Sequence, residues 1–308
     1  MKKIILSGFL SLMATTGLTS VAEATTCSIS GSIDFAYTGA IETCTVSQAG
    51  LYAVTAVGAS SGWYYGAEAV GNISLNYGET LSLVIGQWGM DGRNAYADNG
   101  GGGSFVFQGS GSGATPLIVA GGGGGGAVGG GGIGAGGGGS NADVITSGVA
   151  GGVNGWGGAG GTSGGNGHNS SNGGYGGEGY IAILATPTPT GGSFGGGGAF
   201  EAFGGAYGGG GGGGYSGGGG GGTDNGNYYY GGGGGGSFIV STATNASITS
   251  PSNNIGNGSV DFAIINATAN SAPTQVPEPS AIAVFASAIV GLVFARFWLK
   301  RKNKRVMF

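Results

Sequence analysis

Apolar side chains in the first third of the chain come in short runs broken by polar residues and glycine. Residues 32–37, 41–47 and 51–57 are rich in β-branched and aromatic residues and are divided by Gly39 and Gly50. Residues 72–75 and 80–85 follow, divided by a Tyr77-Gly78 turn. Runs of this length and composition, punctuated by glycine, predict β-strands. No window carries the 3.6-residue repeat of an amphipathic helix. Many short strands with glycine turns predict an all-β chain, an antiparallel sandwich or jelly roll.

From residue 100 the pattern changes. Glycine runs occupy 100–103, 121–126, 136–139, 208–214, 217–222 and 231–236, and the chain holds 82 glycines in all. Islands with strand-like Val, Ile and Phe content interrupt them at 104–108, 116–120, 180–185, 237–241 and 260–265. Each island is expected to be a core strand. Collagen is excluded, because no Gly-X-Y period exists and proline is scarce. Two readings remain. A disordered linker follows from the large entropy that glycine loses on ordering. The other is an ordered lattice of threefold, polyproline-II-like glycine helices packed side by side. Without Cβ atoms such helices approach closely, and each N–H and C=O bonds to a neighbour. Strand islands hold both ends of each run and lower the entropy to be lost, which favours the lattice.

The two ends carry different signals. Lys2 and Lys3 precede an apolar stretch at 4–14, and Ala22-Glu23-Ala24 is a small-x-small cleavage site. This reads as a signal peptide over residues 1–24, cut after Ala24. At the other end, Val276, Pro277, Glu278 and Pro279 precede an apolar run at 281–299. A helix of that length spans about 28 Å, close to a bilayer's hydrocarbon core. Lys300, Arg301, Lys302, Lys304 and Arg305 then form a basic stop. By the positive-inside rule that end stays in the cytoplasm and the preceding chain is exported.

Proline-flanked Val276–Pro279, the transmembrane run and the basic stop resemble the PEP-CTERM sorting signal of Gram-negative bacteria. The resemblance covers residues 276–305, and Asn303 departs mildly from it by breaking the basic run. It implies recognition by an exosortase, a membrane protease that cuts near Pro277-Glu278-Pro279. Delivery to the cell surface or extracellular matrix would follow. Pro277 and Pro279 hold the backbone extended, which suits entry into a protease cleft.

A second resemblance covers about residues 32–266. Phe35-Ala36-Tyr37-Thr38-Gly39-Ala40, Ala49-Gly50-Leu51-Tyr52 and Val84-Ile85-Gly86-Gln87 come in order. They are followed by glycines 100–103 with Ser104-Phe105-Val106, by Pro116-Leu117-Ile118-Val119-Ala120-Gly121, and by glycines 231–236 with Ser237-Phe238. The order is similar to the glycine-rich domain of anaplastic-lymphoma-kinase-type receptors and of bacterial glycine-rich surface proteins. It implies a tumour-necrosis-factor-like sandwich bearing a polyglycine-II helix bundle. Residues 178–190 look like an insertion in that pattern. The kinase and growth-factor-like segments are absent, so the receptors' ligand role does not carry over. The expected organisation is a signal peptide at 1–24, sandwich strands at 25–99 and a glycine-rich region completing the sandwich at 100–266. A linker at 267–276 and the sorting signal at 277–305 follow.

Charge and chemistry narrow the function. Between residues 25 and 280 there is one basic residue, Arg93, against twelve acidic ones. Nucleic acid needs Lys or Arg to neutralise phosphate and is excluded as a partner. Cys27 and Cys44 are expected to form one disulfide in an oxidising compartment, stabilising by about 3 kcal/mol for a loop of about 17 residues. Two buried thiols are the alternative. His168, the only histidine, reads as a surface-loop residue. One histidine and scattered carboxylates offer no acid–base cluster, so no catalytic, metal or cofactor residue is assigned. Asp91, Asn94, Asp98 and Asn99 could offer oxygens to Ca²⁺ but read as a solvated turn. Aromatics from Trp156 to Tyr230 punctuate the glycine region. They either cap the lattice or stack on a sugar or a partner surface.

The expected protein is a non-enzymatic surface or matrix component with a structural, adhesive or biofilm role. Its expected partners are the secretion machinery, an exosortase, the membrane through its C-terminal helix, and exopolysaccharide. An ice- or glycan-binding module is the second reading, and a secreted hydrolase the third.

Overall fold

Period-two burial organises the strands. In Gly50–Val57 and Glu68–Leu75, buried and half-exposed positions alternate almost without a break. Such alternation requires a sheet with one face on a core and one face toward solvent. The computed structural model describes residues 25–27, 32–62, 64–89, 97–129, 132–133, 168–170, 174–185, 187–188, 192–203, 206–224, 228–250 and 252–268. The chain divides into two units after Ala267, and only Thr268 of the second is described.

The main strands are β1 (Thr25–Cys27), β2 (Ser32–Ala36), β3 (Glu42–Val46), β4 (Gly50–Val57), β5 (Glu68–Leu75) and β6 (Thr80–Val84). They continue with β7 (Ser104–Gln108), β8 (Thr115–Ala120), β9 (Phe238–Ile239), β10 (Thr244–Thr249) and β11 (Ser259–Ala267). A six-stranded sheet has the order β1-β3-β6-β7-β8-β9, and a five-stranded sheet the order β10-β5-β4-β11-β2. Every pairing is antiparallel except β1 with β3. The all-β class expected from the sequence is present.

One core cluster includes Tyr52, Val54 and Phe262 of the five-stranded sheet and Leu81, Leu83, Val106 and Ile118 of the six-stranded one. Phe35 meets Phe262 edge to face at 6.0 Å. Burying side chains of this size stabilises by about 1.5–3 kcal/mol each, before their entropy loss. The six-stranded sheet is buried on its other face too, where Phe105, Phe107, Val84 and Val119 form a second cluster with Ile183 and Phe194. This explains why β7 is buried at four successive positions and does not alternate.

The island at 180–185 departs from expectation. It is predicted as a strand, but Tyr180–Ile183 form a single helical turn, α1, followed by a turn at 184–185. A helix sets residues three apart on one face, whereas a strand sets them on opposite faces. Tyr180 and Ile183 both pack on the second cluster, so the helical turn is the conformation that covers it. Short antiparallel ladders join Val128–Gly129 to Gly132–Ile133, Glu201–Phe203 to Ala206–Gly208, and Thr223–Asp224 to Tyr228–Tyr229. Among the described residues no helix is long and apolar enough to cross a membrane, and the expected span at 281–299 lies outside them.

Candidate functional site

The glycine runs at 100–103, 121–126 and 231–236 adjoin strands of the six-stranded sheet. Residues 85–89 leave β6, 98–103 enter β7, 121–126 leave β8 and 231–236 lead toward β9. These four strands are neighbours, so the runs begin at the strand spacing of about 4.8 Å. Their pairing continues past the strand ends. The Gly101 N–H donates to the Gly123 carbonyl at 2.7 Å, the Gly102 N–H to Gln87 at 3.0 Å, and the Gly235 N–H to Gly122 at 2.9 Å.

Residues 208–215 have neighbours on all sides, and their hydrogen bonds repeat every three residues. The N–H groups of Gly209, Gly212 and Tyr215 donate to the carbonyls of Tyr230, Gly233 and Gly236. Those of Gly210 and Gly213 donate to Asp98 and Gly101, and those of Gly211 and Gly214 to Tyr175 and Glu178. The carbonyls of this run accept from three further segments. Gly209 and Gly212 accept from Gly221 and Gly218, Gly210 and Gly213 from Gly125 and Gly122, and Gly211 from Gly198. All these bonds lie between 2.7 and 3.2 Å. Six neighbours and a three-residue repeat mean that successive peptide groups point about 120° apart, as in a threefold helix.

Only glycine fits there. A Cβ on Gly209, Gly210, Gly211, Gly212, Gly213 or Gly214 would lie well under 3.0 Å from a carbonyl oxygen of an adjoining run. The obstructing oxygens belong to Gly125, Gly198, Gly218, Gly122, Gly195 and Gly236 in turn. These are backbone atoms already engaged in the lattice, so they cannot swing aside.

Side chains close the lattice at its margins. The Ser104 hydroxyl donates to the Val57 carbonyl at 2.7 Å and accepts from the Gly86 N–H at 3.1 Å, which links the two sheets. Ser61 donates to the Gly124 carbonyl at 2.7 Å. The Gln87 Oε1 accepts from the Phe194 N–H, and the Asn99 Oδ1 from the Phe200 N–H. Asp98 sits against Gly62 with only 8% exposure. Burial pushes its carboxyl up to about 6, because the charged form loses hydration.

The sequence-selected residues fall out as follows. Cys44 is fully buried and disulfide-bonded, and Cys27 lies in β1 beside β3. His168 is exposed, and its carbonyl accepts from the Gly220 N–H at 3.0 Å. The aromatics differ in burial. Phe194 is buried in the second cluster, Phe200 and Tyr207 pack around Ala97 and Ala127, and Tyr175 is 41% exposed. Tyr215 is stacked between Tyr180 and Phe238 at 4.7 and 4.6 Å. Sequence reading does not anticipate Tyr180 as part of this stack, because it assigns 180–185 to a strand. Ala22, Ala24, Asp91, Asn94, Trp156, Val276, Pro277, Glu278, Pro279, Lys300, Arg301, Lys302, Lys304 and Arg305 lie outside the described residues, as does the run 136–139. Among the described residues no three His, Cys, Asp or Glu come together.

No family model matches the chain, and no curated protein is significantly similar to it.

Proposed function

We propose that this chain is an exported surface or matrix protein with a structural or adhesive role. Its two sheets would form a tumour-necrosis-factor-like jelly roll, and its runs a polyglycine-II bundle. The observation that carries the structural role is the run 208–215, bonded on six sides with a three-residue repeat. A lattice that continues a sheet without side chains is stiff in every direction across its axis. That property suits a module built to hold position in a matrix. Export and sorting rest on the signal peptide and on Val276–Pro279 with the apolar run and basic stop. In this reading an exosortase cuts near Pro277-Glu278-Pro279, and exopolysaccharide is the surrounding partner.

The test is intact mass and cell fractionation in the native host, with and without Pro277-Glu278-Pro279. The expected mature protein begins at Thr25, ends near Val276 and is found in the surface or matrix fraction. The deletion variant stays in the membrane. A wild-type protein that keeps Phe308 in the membrane fraction would replace sorting with permanent anchoring. A glycan-binding role is the second reading, and a groove beside Tyr180 favours it.

A further inference from the structure

The β7–β8 connection and α1 enclose a groove of about 350 Å³, in the lower part of the range for small-molecule sites. Its walls include Ser112, Thr115, Pro116, Tyr180, Ile181 and Leu184. The local chain explains the shape. Gly109 and Gly111 take φ values of +87° and +65°, which turn the connection through the 3₁₀ segment Gly111–Gly113. On the other side, α1 turns Ile183 down onto the sheet and leaves Ile181 67% exposed at the groove. Tyr180 stacks on Tyr215, and Tyr215 on Phe238. The aromatic wall is therefore set in place before any ligand arrives, which lowers the entropy cost of binding.

We infer that this groove binds a neutral sugar ring, as one unit of a hexose polysaccharide. No lining residue carries a charge. An anionic ligand would find no cation there, because Arg93 is the sole Lys or Arg between residues 25 and 280. A cationic ligand would find no carboxylate. A hydrocarbon chain would strip water from Ser112, Thr115 and the peptide groups of the glycine turn without replacing their hydrogen bonds. A pyranose answers both halves of the groove. Its C–H face packs on Tyr180, Ile181 and Leu184. Its hydroxyls reach the two side-chain hydroxyls and the turn peptides.

The inference deepens the surface-protein reading and rests on it, yet the two fail separately. Titration calorimetry on the full purified chain in a detergent without a sugar headgroup tests the groove directly. The probes are maltohexaose, cellohexaose and laminarihexaose, with hexagalacturonate as the charged control. The expected result is binding of at least one neutral hexasaccharide, weakened about tenfold or more by Ile181→Asp and by Thr115→Lys. Both positions are exposed, and unchanged thermal melts would show that the variants fold. The inference is overturned if no neutral hexasaccharide binds, if binding survives both substitutions, or if hexagalacturonate binds as well as the neutral sugars. Fractionation that finds the protein in the cytoplasm would remove the surface reading and leave a measured groove affinity standing.

Discussion

Asp34 of β2 and Asp261 of β11 stand directly opposite each other across the strand pair, and their side chains share a hydrogen bond. Asp261 is pushed above the ordinary carboxylate range, first by burial, then by the charge of Asp34 and the bond to it. A carboxyl whose folded value is raised stabilises below its unfolded value and loses that contribution as pH rises through the folded one. Asp261→Asn is therefore expected to raise thermal stability at pH 7 by roughly 0.5 kcal/mol, the scale of a cross-strand pair. At pH 3 the gain should vanish. A variant less stable than wild type at pH 7 would mean that the pair is not repulsive there.

Asp98 obeys the same sign with a larger amplitude, since it is almost fully enclosed. Its folded value of about 6 lies above the unfolded 3.8, so wild-type stability should fall as pH rises from about 4 through 6. Asp98→Asn keeps the shape and removes the charge. On the order of 2 kcal/mol of added stability at pH 7, with a flatter pH profile, is the expected outcome in urea titrations. An unchanged profile would show that the carboxylate is hydrated in solution.

The lattice makes a sharp contrast between glycines. Gly211→Ala directs a methyl group at the Gly218 carbonyl, and about 3 kcal/mol of lost stability is expected from such backbone collision. Gly113 has open space at its Cβ position and a φ outside the left-handed region. Gly113→Ala should therefore sit within about 0.5 kcal/mol of wild type. Equal effects at the two sites, measured by chemical denaturation, would mean that the runs are not packed in solution.

Ser104 is fully buried and its hydroxyl serves two backbone groups, the Val57 carbonyl and the Gly86 N–H. Ser104→Ala leaves both without that partner and is expected to cost about 2 kcal/mol. Hydrogen exchange should accelerate at Gly86. An unaffected amide would show that another acceptor replaces the hydroxyl.

Cross-linking is a separate determinant. Cys44→Ser removes the disulfide of a fully buried side chain in β3, at an expected cost of about 3 kcal/mol in the chain-entropy model. Equal melting temperatures for oxidised and reduced wild type would remove this contribution.

Much of the scaffold was legible because its physics is local. β2, β3, β4, β6, β7, β8 and β11 announce themselves through β-branched and aromatic runs bounded by glycine, and the structure places strands there. β10 was not legible. Thr244–Thr249 is polar and almost wholly exposed, and only Ile248 packs against the core. Backbone pairing with β5, not burial, makes it a strand. The turn at 180–183 was misread because its residues favour strands in isolation, while the second cluster needs Tyr180 and Ile183 on one side.

The positions of most strands and of the glycine runs are written in the sequence by itself, since β-branched runs and the lack of a Cβ act residue by residue. Which runs would neighbour 208–215 was decided only by tertiary structure. That choice depends on segments brought side by side from far apart in the chain, and glycine, having no side chain, carries no local code for its partner. The same holds for Asp98, whose carboxyl is raised by burial that the fold creates, with its side chain beside Gly62.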